Sequence, residues 1–460
     1  MRRTESGSKI PGPLACLWLA LALLAGAAWA QAPAALARDE SAAATDRHPP
    51  AHFTLAAAGD LLGPYRTVLE LDDPEVAKVV SIFRRADAAF ANEEGSSFDV
   101  ASFQGWLAPE NGGGYPLHTL AVTRAFKAMG LGLISRANNH ATDWGVAGML
   151  ATDAALDAIG LVHAGTGRSL DAARAPAYLD SPAGRVALVA SASTFPGMSP
   201  AGDPGRGAGP RPGLNPLHVQ QVTLVSAREM SVLRGIAERE NWEGLGPQSA
   251  QSKRLRLNDI YYQLSDHPGL TYDVSDKDRA AIIQSIAQAR GSADLVVYSI
   301  HAHETLSGDG DDPAPADFLP PLFHDLIDAG ADVVVRSGPH LPLGIEIYKG
   351  KPIFYGLGSL FFDISHTLTV ASEGPAADRV TVTMPASWYD SAIAVSEFRN
   401  GRLERVLVYP LVLESADGPR RGLPRRASGP EAHRILDLIR QRSAHFGTAL
   451  RIVDDVGIIG

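Results

Sequence analysis

Cysteine is nearly absent. Cys16 is the single thiol in 460 residues, and it lies within an apolar stretch near the N-terminus. The rest of the chain therefore has no disulfide, no cysteine metal ligand and no cysteine nucleophile. Any metal site must be built from His, Asp, Glu and Asn. Basic charge is also scarce: 41 Lys and Arg face 51 Asp and Glu, for a formal net charge of -10. That excludes the concentrated basic surface that nucleic-acid binding needs. No G-x-S-x-G elbow stands at a strand–helix turn, which argues against serine-nucleophile catalysis. There is no internal repeat.

What is present begins with an export signal. Arg2, Arg3 and Lys9 form a positive region, an apolar run follows from Leu14 to about Ala28, and Ala28-Trp29-Ala30 is a small-x-small cleavage pattern. The reading is a signal peptide over 1–30, with a run short for a membrane span. Residues 31–50, rich in Ala, Pro and charge, read as a flexible linker. The remainder is hydrophobic enough to bury a proper core, at 45% over the whole chain.

From Phe53 onward, short apolar runs alternate with helical spacing. Strands are expected at Phe53–Ala58, Ala88–Ala91, Leu131–Ser135, Arg185–Ser191, Leu295–Ile300 and Asp332–Val335. Helices are expected at Pro74–Ala88, Thr119–Met129, Val146–Ile159, Ser275–Ala289 and Pro320–Ala329. This order predicts an α/β sheet covered by helices. Two hairpins are expected, turning at Lys349-Gly350-Lys351 and at Asn400-Gly401. Residues 197–213 read as a Gly/Pro-rich loop, and about 220–270 as a mostly helical, charged insertion. The main domain is set at 51–412, followed by a basic Pro/Gly-rich segment and a C-terminal helix over 413–460.

Five strand ends carry groups able to do chemistry: Asp60, Asn92-Glu93-Glu94, Asn139-His140, His301-Ala302-His303-Glu304 and Pro339-His340. In open α/β sheets, ligands bind beyond the carboxyl ends of strands. Carboxylate, amide oxygen and imidazole are the donors that divalent Mn, Fe or Zn accept where thiols are lacking. Each group alone equally fits a turn, a cap or a solvated loop.

The segment Ser135-Arg136-Ala137-Asn138-Asn139-His140-Ala141-Thr142-Asp143-Trp144-Gly145-Val146-Ala147-Gly148 resembles the signature of the CapA, or poly-γ-glutamate capsule synthesis, family. Gly59-Asp60 with Arg66 resembles its opening motif, and Asn92-Glu93-Glu94 its N-L-E. Arg211 to Leu217 is similar to a middle segment of some members. Val297 to Glu304, Gly330 to His340, and Gly344 to Ser359 resemble its later motifs. The resemblance covers roughly Phe53 to Pro410, in order.

It implies a four-layer α-β-β-α sandwich of the calcineurin-like metallophosphoesterase kind, holding two divalent metals at the strand ends. It also implies roles. Asp60, Glu94, Asn139, His301 and His340 would be metal ligands, with Glu94 bridging. His140 would act on the leaving group or orient phosphate. Asp143 would either orient His140 or cap the helix after Trp144. Arg66, Arg211 and Glu304 would face substrate. The sequence departs from the pattern at Ser337, where the family has a ligand His, and His303 is the candidate replacement. The expected function is exported, metal-dependent hydrolysis or transfer in capsule or poly-γ-glutamate biosynthesis, on a polymer or phosphoester and alongside envelope capsule machinery. A general periplasmic phosphoesterase and a non-catalytic assembly protein are the alternatives.

Overall fold

The computed structural model describes residues 50–460 apart from 67, 206, 240–251, 366 and 372–378. The expected signal peptide, and the linker up to Pro50, lie outside the described residues.

Two sheets form the body. In the larger one, His52–Leu62 pairs in parallel with Ala88–Asn92, which continues to Leu133–Ser135 and Val162–Ala164. On its other side His52–Leu62 pairs antiparallel with Asp390–Arg399, and that strand with Arg402–Leu413. The smaller sheet has Gly184–Ala192, Leu295–His301, Val333–Ser337 and Lys351–Phe354 in parallel, with antiparallel edges Ala177–Ser181 and Ile345–Tyr348.

Side-chain alternation along these strands makes the layers. Phe53, Leu55 and Ala57 point one way and meet Leu188, Val297, Val333 and Val335 of the other sheet in a single buried core. Ala56 and Ala58 point the opposite way, onto the helices Pro74–Arg85 and Leu120–Met129 through Val79, Phe83, Val122 and Phe126. On the far side, Val296, Tyr298 and Ile300 pack on Asp276–Arg290 and Leu319–Asp328 through Ile282, Ile286, Leu322 and Phe323. The order helix, sheet, sheet, helix is the expected four-layer sandwich. The helix Gly429–Ala444 also contributes, inserting Ile435, Leu436 and Ile439 into the core between the sheets.

Both expected hairpins form, with Lys349 and Asn400 in the left-handed region and glycine after each. The insertion differs from expectation. It holds one described helix, Ala227–Arg239, but also a four-stranded sheet of Val219–Val225, Arg254–Leu257, Ile260–Leu264 and Gly269–Val274. Arg254-Leu255-Arg256-Leu257 explains it: the leucines are buried and the arginines exposed, a period of two rather than 3.6. Charge concealed that alternation.

Among the described residues, no helix is long and apolar enough to cross a membrane.

Candidate metal centre

Sheet register sets the site. Asp60 lies opposite Asn92 on one neighbouring strand and Ser359 on the other, and Asn92 lies opposite Ser135. In the second sheet His301 lies opposite Ser337. Ser359 opens its short strand Ser359–Phe362, and the others stand at or near carboxyl ends, so the two sheets deliver polar groups to one edge of the sandwich. The approach is tight at Gly59, where a Cβ would fall 1.7 Å from the carbonyl oxygen of Gly358. Only glycine allows the Gly358 backbone to close against the strand that carries Asp60.

Five of the predicted ligands, Asp60, Glu94, His301, His303 and His340, fall into two close groups. One oxygen each of Asp60 and Glu94 and one ring nitrogen of His340 lie within 4.8 Å of one another, and so do donors of Glu94, His301 and His303. Glu94 is common to both groups. His301 Nε2 is 3.6 Å from Glu94 Oε1 and 3.0 Å from His303 Nε2. His340 Nδ1 is 3.7 Å from Asp60 Oδ2. Such donor–donor spacings suit a shared cation with bonds of roughly 2.0–2.2 Å. His303 brings a second imidazole beside His301, whose Nδ1 sits 3.1 Å from Ser337 Oγ.

The donors' chemistry fits a cation. Asp60 is fully buried, and desolvation raises its pKa to about 7, although Asn92 Nδ2 donates to it at 2.8 Å. Burial, then Asp60 and Asp143, push Glu94 well above the usual carboxylate range. Burial and the neighbouring imidazoles hold His301 and His340 well below the usual histidine value, and desolvation takes His303 to about 4. The imidazoles are thus neutral, as metal ligands must be. Glu94 Oε2 and Asn139 Oδ1 are buried acceptors with no hydrogen bond inside the protein. A cation placed there would satisfy such acceptors and relieve the carboxylate repulsion.

Beside the cluster stands a dyad. His140 Nδ1 is 2.6 Å from Asp143 Oδ2, which leaves His140 Nε2 facing Glu94 Oε1 at 3.9 Å. Asp143 is not a helix cap. Trp144 occupies the N-cap position of Gly145–Ile159, without a side-chain cap, and the other oxygen of Asp143 accepts the Gly112 N–H at 2.8 Å. Glu93 points elsewhere, into a buried cluster with Arg136, His118 and Ser97.

The three expected substrate residues do not join the cluster. Arg66 donates to the carbonyls of Pro419 and Arg421 and lies 3.6 Å from Asp363. Arg211 donates to the Pro200 carbonyl from an exposed loop. Glu304, next to His303, accepts from Ser193 Oγ at 2.7 Å. Other groups at the site had no assigned role in the sequence. Asn92 steadies Asp60, Ser359 Oγ stands 3.2 Å from His340 Nδ1, and Trp388 packs 4.9 Å from the His340 ring. Asn92 opens the Asn92-Glu93-Glu94 motif. Trp388 carried no sequence signal, because only loop folding brings it in.

The fold and cluster define a four-layer α-β-β-α protein with a histidine–carboxylate centre at its strand ends. Its family follows from sequence comparison. The bacterial capsule synthesis protein PGA_cap family matches residues 54–364, and the chain belongs to that family. It is 36% identical over 433 residues to the uncharacterized protein y4sH of Sinorhizobium fredii (strain NBRC 101917 / NGR234), covering 88% of this chain and 93% of that one. It is similar to the PGA biosynthesis protein CapA of Bacillus subtilis (strain 168), 36% identical over 99 residues, 22% of this chain and 25% of that protein. A hypothetical protein from Thermus thermophilus aligns structurally at a TM-score of 0.36 and 14% identity, over 78% of this chain and 98% of the other.

Proposed function

We propose that this chain is an exported, metal-dependent hydrolase or transferase of capsule or poly-γ-glutamate biosynthesis, working on a polymer or phosphoester substrate with two divalent cations (Mn, Fe or Zn). The observation that carries the reading is the sharing of Glu94 between two ligand groups. Asp60, Glu94 and His340 would hold one cation, and Glu94, His301 and His303 the other, with Asn139 Oδ1 as a further donor. Cations bound there supply Lewis acidity to an anionic substrate oxygen and lower the pKa of water. The dyad supplies proton transfer: with Nδ1 engaged by Asp143, His140 presents Nε2 toward the centre and can give a proton to a leaving oxygen.

The test pairs composition with activity. Purified protein is analysed for bound metal, then assayed with manganese and a chromogenic phosphate ester. The expected result is about two metal equivalents, and activity that disappears in His140→Ala. No bound metal, with function intact in Asp60→Ala, refutes the reading and supports a non-catalytic assembly role.

A further inference from the structure

The geometry points to Gly112 as a positioning residue for the metal centre: its two backbone groups hold Asn139 and the His140–Asp143 dyad together. This rests on the metal-dependent reading above.

Gly112 lies in the segment between Phe98 and Tyr115, far from the strand ends in sequence. Its N–H donates to Asp143 Oδ1 at 2.8 Å, and its carbonyl accepts from Asn139 Nδ2 at 2.9 Å. The second bond decides the orientation of an amide. With Nδ2 committed to Gly112, the buried Oδ1 is the end left without a partner in the protein, and oxygen is the end that ligates a cation. The first bond occupies one oxygen of Asp143 and leaves the other for His140 Nδ1. One residue therefore fixes both an amide ligand and a proton-transfer dyad, the office that outer hydrogen-bond partners perform in metal sites.

The residue type follows from the approach. A Cβ on Gly112 would lie 2.5 Å from the carbonyl oxygen of Asn139 and 2.6 Å from its carbon, both backbone atoms. Any side chain must push the segment off the site. The segment is itself braced. Asn111 Oδ1 accepts from the N–H groups of Gly113 and Gly114 at 3.0 and 2.9 Å, and Asn111 Nδ2 donates to Tyr115 Oη at 3.0 Å. Glu110 Oε1 accepts from the N–H of Gly197, tying the segment to the Gly/Pro-rich loop across from it.

Cobalt(II) titration of the metal-free full chain tests the idea, read by equilibrium dialysis and by the visible cobalt spectrum. Gly112→Ala displaces the segment, and Asn111→Ala loosens it without adding bulk. Trp106→Ala, in the same segment but highly exposed, is the control. In both Gly112→Ala and Asn111→Ala, one of two cobalt ions is expected to bind about 10–100-fold more weakly, the range for lost outer partners, with an altered spectrum for that ion. Thermal midpoints without metal should match wild type, and Trp106→Ala should match wild type throughout. Wild-type affinity and spectrum in both variants overturns the inference and leaves the metal-dependent reading standing. A wild-type chain that binds no cobalt overturns both.

Discussion

Glu94→Gln keeps the side chain's size and removes its charge, so it separates a ligand from a structural acid. Without metal, burial and the nearby Asp60 and Asp143 favour the protonated carboxyl, and glutamine imitates that neutral form. The metal-free variant should therefore be as stable as wild type. With metal the two should diverge, because Glu94 belongs to both ligand groups. A cation at 100 times its Kd stabilises the folded state by about 2.7 kcal/mol, so two contribute about 5.4 kcal/mol. At about 2.1 cal/mol/K per residue over roughly 400 folded residues, the unfolding entropy is about 0.84 kcal/mol/K, and the midpoint should rise by roughly 6 °C. Differential scanning calorimetry with chelator and with manganese makes the comparison. Wild type should show the full rise and Glu94→Gln about 1 °C or less. An equal rise in both refutes the shared-ligand argument. A variant several degrees less stable in chelator would show that Glu94 holds the fold together instead.

His140→Ala should lower hydrolysis of a chromogenic phosphate ester about 10²–10⁴-fold, the span of a lost general acid or base, with metal content unchanged; loss of metal as well would make His140 a ligand. His303→Ala should reduce bound metal from about two equivalents to about one by elemental analysis, if this imidazole takes the place vacated at Ser337. In the metal-free protein the contribution of Asp60 to stability should fall as pH rises from about 4 to about 7, opposite in sign to that of the buried imidazoles His301, His303 and His340. Asp60 has a folded pKa raised from 3.8 to about 7, so the folded state holds a proton that the unfolded chain has released, and that contribution vanishes through the folded pKa. Between pH 5 and pH 8, urea midpoints in chelator should change more negatively with pH in wild type than in Asp60→Asn; identical slopes would remove Asp60 as a contributor. Phe90→Ala should cost about 3–5 kcal/mol in urea unfolding, the range for a fully buried ring, since Phe90 is 0% exposed between the sheets; a cost below about 1 kcal/mol contradicts that packing.

Much of the site was legible because it uses short, local signals. An apolar run of four to eight residues followed by a polar group marks a strand and its end, and five such ends carry Asp60, Asn92-Glu93-Glu94, Asn139-His140, His301 to Glu304 and Pro339-His340, while the ligand roles among them follow from the family resemblance. The choice of Glu94 over Glu93 came from motif resemblance, and the two side chains do part: Glu93 turns to Arg136 and Glu94 to the centre. Arg66 and Arg211 show where the same reasoning fails. A lone arginine near a motif does not reveal what carbonyls the chain will fold against it: Arg66 donates to the Arg421 carbonyl, and Arg211 Nε to that of Pro200. The insertion's strands are hard to read because exposed charge dominates segments such as Arg254–Leu257, whose buried face is Leu255 and Leu257.

The sequence by itself determined the alternation of strands and helices, the absence of thiol chemistry and the donor types available to a metal, since these depend on composition and on periods of a few residues. Tertiary structure alone decided which donors meet. Register put Asn92 and Ser359 on either side of Asp60, sheet packing brought His301 and His303 to Glu94, and a distant glycine came to rest between Asn139 and Asp143. Those contacts join residues far apart in the chain, and no local pattern encodes a distance that only the closing of two sheets creates.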